Sequence, residues 1–371
     1  MGVCHVKKVV VVCVVGAHCL TGGDSWAQTG QVGRRIGGGA ADALTGEISK
    51  SLKAGQRTMR RGVRGAVGIG VVAGVIAQMK GPKDHAKFKP TRGDHEVAFR
   101  HGGRKRIYHL HIPRSYDRTK SMPLLMVLHA ESGSGKGLKK FVRGGLNKIA
   151  DKEGFIVVYP EGVKRNWNDG RKVQDYKAHQ KEIDDVGFIS SLTDGLVEKA
   201  NVDPKRVYVT GMSNGAMMAY RLACEASDKI AAIASVAGAM PEPIASQCSP
   251  ARAVSILAIN GTEDPIVPWE GGDVKLNRQK LGRVISVPET IQQWVTRNGC
   301  PATPDVTTVS ESVTRESFTG CSGADVSLFV VKGGGHTWPG AIDVARNGDT
   351  TREISAAEEI WKFFAAHPLS R

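Results

Sequence analysis

The chain has 371 residues, 41% of them hydrophobic and 23% charged, which is ordinary for a globular protein and enough to bury one large core. Its formal net charge is +15, but residues 28–93 alone hold 13 Lys/Arg against three Asp/Glu, so the chain beyond them is close to neutral. That asymmetry argues against nucleic acid as a partner, because a nucleic-acid-binding body would be expected to carry its own basic face.

The first element is a leader. Lys7 and Lys8 precede an apolar run over residues 9–17, too short to span a bilayer, and Ser25-Trp26-Ala27 offers small residues at −3 and −1 of a cleavage site. Residues 1–27 therefore read as a signal peptide, and the mature protein is expected outside the cell or in the periplasm. An uncleaved anchor is the alternative reading. Residues 28–93 form a basic, Gly-rich extension, expected to be mobile, whose charge would give weak surface association. Its apolar stretch over 65–77 is Gly-rich and only 13 residues long.

The pattern changes at residue 94, and residues 94–371 are expected to form one catalytic domain. Residues 107–112 alternate with the period of a half-buried strand. His109 and His111 would share a face, read as solvated because no third metal ligand lies nearby. Short apolar runs at 124–128, 155–159, 206–210, 231–236, 255–259 and 326–331 read as buried strands. Segments near 137–151, 184–200, 214–226, 286–298 and 354–366 read as helices. Such alternation predicts an α/β protein with a mostly parallel central sheet and helices on both faces. Outside the leader the cysteines are Cys224, Cys248, Cys300 and Cys321, which allow three pairings. No cysteine or histidine spacing suggests a metal site, and no cofactor is implied.

The strand at 206–210 runs into Gly211-Met212-Ser213-Asn214-Gly215, and an Ala/Met-rich helix follows. In that context G-x-S-x-G reads as a strained strand-to-helix turn that lifts a serine hydroxyl above the sheet. A neutral serine needs a base. His336, in the Gly-rich loop after the last apolar strand, is the candidate. An acid is needed to orient that histidine, and Asp264, after the strand at 255–259, is preferred to Glu263 and Glu270. The Asn214 N–H would be one oxyanion donor and the Glu131 N–H, after the strand at 124–128, the other. Trp167 and Trp338 read either as an aromatic wall for substrate or as packing residues. Asp169, Asp184 and Asp185 read as loop ties and helix caps. The stretch 171–182, rich in Lys, Gln, His and Asp, reads as a hydrated segment over the substrate.

These motifs carry a resemblance. Asn166-Trp-Asn-Asp-Gly170, Asp184-Asp-Val-Gly-Phe188, Gly211-Met-Ser-Asn-Gly-Ala216, Gly261-Thr-Glu-Asp-Pro-Ile-Val-Pro268 and Gly333-Gly-Gly-His-Thr-Trp-Pro-Gly340 together resemble the secreted polyhydroxybutyrate depolymerase and feruloyl esterase group of α/β-hydrolases, related to acetylxylan esterases. The resemblance covers roughly residues 95–365. It implies the α/β-hydrolase fold, the triad Ser213, Asp264 and His336, the same oxyanion loop, and the sequential disulfides Cys224–Cys248 and Cys300–Cys321. One departure is Ala130, where the group usually has glycine after the oxyanion-loop histidine. The expected function is a secreted serine carboxylester hydrolase acting through an acyl-enzyme on an ester polymer or small ester, of polyhydroxybutyrate depolymerase type. Feruloyl or acetylxylan esterase activity on plant polysaccharide is the alternative within the class. A non-catalytic binding module on a hydrolase scaffold is the alternative outside it.

Overall fold

Ten strands form a single sheet in the computed structural model, which describes residues 5–6, 9–10 and 88–369. In the first 87 residues the description is limited to a two-residue antiparallel pairing of His5–Val6 with Val9–Val10. The signal peptide and most of the basic extension thus lie outside the described residues.

In chain order the strands of the sheet are β1 (Gly93–His101), β2 (Arg104–Ile112), β3 (Met122–Leu128), β4 (Ile156–Pro160), β5 (Val202–Met212), β6 (Ala232–Val236) and β7 (Ser255–Gly261), then β10 (Asp305–Thr308), β11 (Val313–Phe318) and β12 (Val326–Val331). A separate hairpin is made by β8 (Gly272–Leu276) and β9 (Gln279–Val284). The sheet order is β10-β11-β12-β7-β6-β5-β3-β4-β2-β1. The six strands from β12 to β4 are mutually parallel, and antiparallel pairs flank them on both edges. Every residue of β3, β4, β6 and β7 is buried, as continuous apolar runs require when both faces of a parallel sheet are covered.

The helices supply that cover. On one face α4 (Asp185–Ala200), α5 (Asn214–Glu225) and α7 (Val287–Arg297) contribute Phe188, Leu192, Met217, Tyr220, Ile291 and Trp294 to one core. On the other, α1 (Gly135–Phe141), α2 (Gly145–Glu153) and α8 (Ala356–Ala366) contribute Leu138, Leu146, Ile360 and Phe364 to a second. Two four-residue helices, α3 (Lys177–Gln180) and α6 (Glu242–Ala245), lie in connections. Together these make the α/β-hydrolase architecture, a mostly parallel sheet between helical layers.

Several expectations change. The helix expected over 137–151 is two helices, because Arg143 and Gly144 take left-handed φ of 54° and 64° and end the first. β1, the β8/β9 hairpin, β10 and β11 had no apolar run to announce them; β10 is exposed along its whole length. The face carrying His109 and His111 is only partly solvated. Their side chains are 14% and 12% exposed, and each is paired to carboxylates: His109 to Glu161 at 2.9 Å, His111 to Asp94 at 2.8 Å. The packed body also begins earlier than residue 94, because Phe88 packs on the core and edge-on to His95. Sulfur–sulfur bonds join Cys224 to Cys248 and Cys300 to Cys321. Among the described residues no helix is long and apolar enough to cross a membrane.

Candidate active site

Three of the parallel strands end in the expected chemical groups. β5, β7 and β12 run in the same direction, so Ser213, Asp264 and His336, each just beyond its strand, lie along one edge of the sheet. This is the edge at which open α/β sheets place their sites.

Ser213 has φ 56° and ψ −117°, a conformation a side-chain-bearing residue adopts only under constraint. The constraint is the abrupt passage from β5 into α5. A Cβ on Gly211 would come within 2.5 Å of the Gly215 backbone, and one on Gly215 would collide with the Leu128 carbonyl, so both positions must be glycine. The Ser213 N–H donates to the Val236 carbonyl at 3.0 Å, which fixes the turn to the neighbouring strand. Ser213 is also the residue from which the 12-residue α5 starts, where the helix dipole presents positive potential.

His336 is buried, and its Nδ1–H donates to Asp264 Oδ2 at 2.8 Å. That leaves Nε2 as the basic nitrogen. Its own backbone is clamped: the N–H donates to the Asn347 carbonyl at 2.6 Å, and its carbonyl accepts from Asn347 Nδ2 at 3.1 Å. Asp264 is equally committed. Oδ1 accepts the N–H groups of Ile266 and Val267, both at 2.8 Å, leaving Oδ2 for the histidine. Glu263 and Glu270 are exposed. The loops carrying Asp264 and His336 are joined by Glu263 N–H to Gly334 C=O and Gly333 N–H to Thr262 Oγ1, at 3.0 and 2.9 Å.

The loop after β3 makes a tight turn, with Gly133 N–H donating to Ala130 C=O at 2.9 Å and Ser132 at a left-handed φ of 52°. This turn carries Glu131. His129 anchors it: Nδ1–H donates to Ala130 C=O at 2.8 Å, and Nε2 accepts the Gly162 N–H at 3.0 Å. Burial disfavours protonation and holds this imidazole below its usual pKa. Asn214 occupies the first turn of α5, where backbone N–H groups have no intrahelical acceptor and remain available to an anion.

The two indoles do not form a wall for substrate. Trp167 and Trp338 are 0% and 1% exposed. Trp167 donates Nε1–H to the His129 carbonyl at 3.0 Å and packs against the His129 ring at 4.9 Å between centroids, and Trp338 belongs to the second core. The segment 171–182 is hydrated on its outer side, where Lys172, Gln174, Asp175, Lys177, Gln180, Lys181 and Glu182 are exposed, but Arg171, Val173, Tyr176, Ala178 and His179 are buried and tie it to the body. Asp184 caps α4 through the Gly187 N–H at 2.7 Å, and Asp185 pairs with Arg106 at 2.7 Å while accepting the Asn168 N–H at 2.8 Å. Reading the sequence did not assign roles to His129, Arg171 or His179. Arg171 directly follows the motif ending at Gly170 and His129 directly precedes Ala130, whereas His179 lies outside every motif named.

A parallel sheet with a strained serine turn, and a histidine held by a buried carboxylate on the same edge, is the arrangement of the α/β-hydrolase class. Residues 107–268 match the family described as Esterase PHB depolymerase. Over 276 residues the chain is 34% identical to "Putative esterase NocK" of Nocardia uniformis subsp. tsuyamanensis, covering 69% of this chain and 78% of that protein. The chain belongs to this esterase family, and it is a carboxylic ester hydrolase of the polyhydroxybutyrate depolymerase and feruloyl esterase type. It is also 31% identical over 231 residues to Feruloyl esterase B of Piromyces equi, covering 60% of this chain and 41% of that protein. With Feruloyl esterase D of Neurospora crassa it shares 26% over 291 residues, covering 74% and 87%. Among solved structures, an acetyl xylan esterase from Aspergillus awamori superposes with a TM-score of 0.48 at 13% identity, covering 70% of this chain and 94% of that one.

Proposed function

We propose that the protein hydrolyses carboxylic esters through an acyl-enzyme. Ser213 attacks the ester carbonyl, His336 Nε2 takes the serine proton and returns it to the leaving alcohol, and Asp264 holds the imidazole and stabilises its protonated form. The N–H groups of Asn214 and Glu131 bind the developing oxyanion. The observation that carries this reading is the buried Asp264–His336 pair on the same strand-end edge as the strained Ser213.

The natural substrate is an ester of a short or hydroxylated acyl group, with hydroxyalkanoate polyester as the first reading. The match to the polyhydroxybutyrate depolymerase family supports it. A second reading is hydrolysis of feruloyl or acetyl esters on plant polysaccharide, favoured by the named activities of the Piromyces and Neurospora relatives. The protein works outside the cytoplasm, exported by residues 1–27, a reading the two disulfides support. The deciding experiment measures kcat/KM on p-nitrophenyl acetate, butyrate, octanoate and palmitate, on methyl ferulate and on a 3-hydroxybutyrate oligomer. A maximum at palmitate, with interfacial activation on triglyceride emulsions, would overturn the substrate class. Preference for methyl ferulate over the oligomer would select the second reading.

A further inference from the structure

The triad leaves a buried charged network unused. Asp169 is 0% exposed, and its carboxylate receives Arg171 Nε at 2.9 Å, Arg171 Nη2 at 2.8 Å and the Arg171 N–H at 3.0 Å. It also accepts Asn214 Nδ2–H at 2.6 Å. His179 closes the other side, with Nε2 at 3.5 Å from Asp169 Oδ1 and donating to the Trp167 carbonyl at 2.9 Å, while Nδ1 accepts the Val173 N–H at 2.8 Å. Arg171 reaches across to the β8/β9 hairpin, donating to the Leu281 carbonyl at 2.7 Å. Burial pushes the Asp169 carboxyl up, but the Arg171 charge, the neighbouring His179 and the hydrogen bonds outweigh it and hold the group below its ordinary value.

The network converges on Asn214. The Asn214 side chain donates to Asp169 and to Trp167 C=O, the latter at 3.1 Å, and its Oδ1 accepts the Trp167 N–H at 2.8 Å. This pattern admits one orientation, because a flipped amide would set its NH2 against an N–H and its oxygen against a carbonyl and a carboxylate. Asn214 directly follows Ser213, and its backbone N–H is the oxyanion donor on the reading above. A buried ion pair adds little net stability over well-packed apolar groups of similar volume. What this one supplies is a fixed geometry at the residue next to the nucleophile.

We propose that Asp169 is a positioning residue for ester hydrolysis: backed by Arg171 and His179, it locks the Asn214 side chain and so aims the Asn214 N–H at the oxyanion. This rests on the reading of Ser213 as nucleophile and Asn214 as donor. It predicts a loss confined to transition-state binding.

The test uses the full mature protein with p-nitrophenyl butyrate. In Asn214→Ala and Asp169→Asn, kcat should fall about 10- to 100-fold while KM stays within about twofold, since one preorganised donor is misaligned and not deleted. Affinity for a butylboronic acid, which forms a tetrahedral adduct on the serine, should fall by the same factor as kcat/KM. The double variant should be no worse than the weaker single, because both act through one side chain. Losses that multiply, or a folded Asn214→Ala with kcat within twofold of wild type, would overturn the proposal. Should Asp169→Asn not fold, Asn214→Ser, which keeps the Asp169–Arg171 pair, decides in the same way. Ser213→Ala separates the two readings: if it is inactive while Asn214→Ala is normal, only the positioning role fails, and if it is active the catalytic reading fails with it.

Discussion

Gly215 stands against Leu128 so closely that a single added methyl would drive into the Leu128 carbonyl oxygen and come within 2.7 Å of the His129 carbonyl. The serine turn and the strand that leads to the Glu131 loop are thus in backbone contact, and the spacing between Ser213 and that loop is set without any side chain. Gly215→Ala must push α5 away from β3. Overpacking of this kind costs about 1–3 kcal/mol, roughly 2–4 °C of Tm per kcal/mol in a domain this large. We expect a lower Tm and at least a tenfold lower kcat. Wild-type turnover at an unchanged Tm would refute the contact.

Ser213→Ala and His336→Ala should each lower kcat by at least about 10³-fold with folding intact, and the double variant should be little worse than either. Asp264→Asn should cost at least about 10²-fold, since the imidazole loses the partner that sets its tautomer. Steady-state kinetics on p-nitrophenyl butyrate, with circular dichroism as the folding control, decide these. Near wild-type rates in Ser213→Ala would sink the mechanism.

The Cys224–Cys248 and Cys300–Cys321 bonds close loops with sequence separations of 24 and 21. Chain-entropy arguments assign each about 3 kcal/mol. Replacing either pair by serine should therefore lower the denaturant midpoint without changing activity per folded molecule. Non-reducing peptide mapping that recovers a crossed pairing would contradict the assignment.

Burial holds both His129 and His179 below the ordinary histidine value of 6.5. The unfolded chain therefore takes up these protons at higher pH than the folded protein does. Stability should be full above about pH 6.5 and decline as the pH falls below it, by up to about 1.4 kcal/mol per pH unit for each group. Melting curves between pH 8 and 5 should show this decline, with a shallower slope in His179→Asn. A flat Tm over that range would show that the two imidazoles are not held neutral.

Residues before the packed body should be dispensable for turnover. A truncation beginning at residue 86, which keeps Phe88 against the core, should retain kcat on a soluble ester. A truncation beginning at residue 103 removes β1 and with it Phe99, only 2% exposed, and should not give stable protein. If the first truncation is soluble and folded yet inactive, the basic extension belongs to the catalytic domain.

Much of the core was legible from residue order. The buried strands announced themselves as continuous apolar runs, and Val326–Val331 forms over the residues that run occupies. Gly211 and Gly215 around Ser213 told of a tight turn because a strand preceded and a helix followed, all within about twenty residues. Edge strands such as Asp305–Thr308 gave no signal, since an exposed strand needs no apolar pattern to pair with its neighbour.

What the sequence alone determined, then, was local: the period of its apolar residues, the turn its glycines permit, and the types of chemical group available at strand ends. Tertiary structure decided the partnerships. His336 meets an acid 72 residues away, and the choice of Asp264 over the exposed Glu263 follows from which carboxylate the strand order buries beside it. Arg171 reaches a carbonyl 110 residues away, and with the buried His179 it ties one side of a segment against Asp169 while the other side stays hydrated. Trp167 and Trp338 became packing residues for the same reason. Such contacts depend on where the sheet brings distant loops, and desolvation there decides which polar groups must be paired.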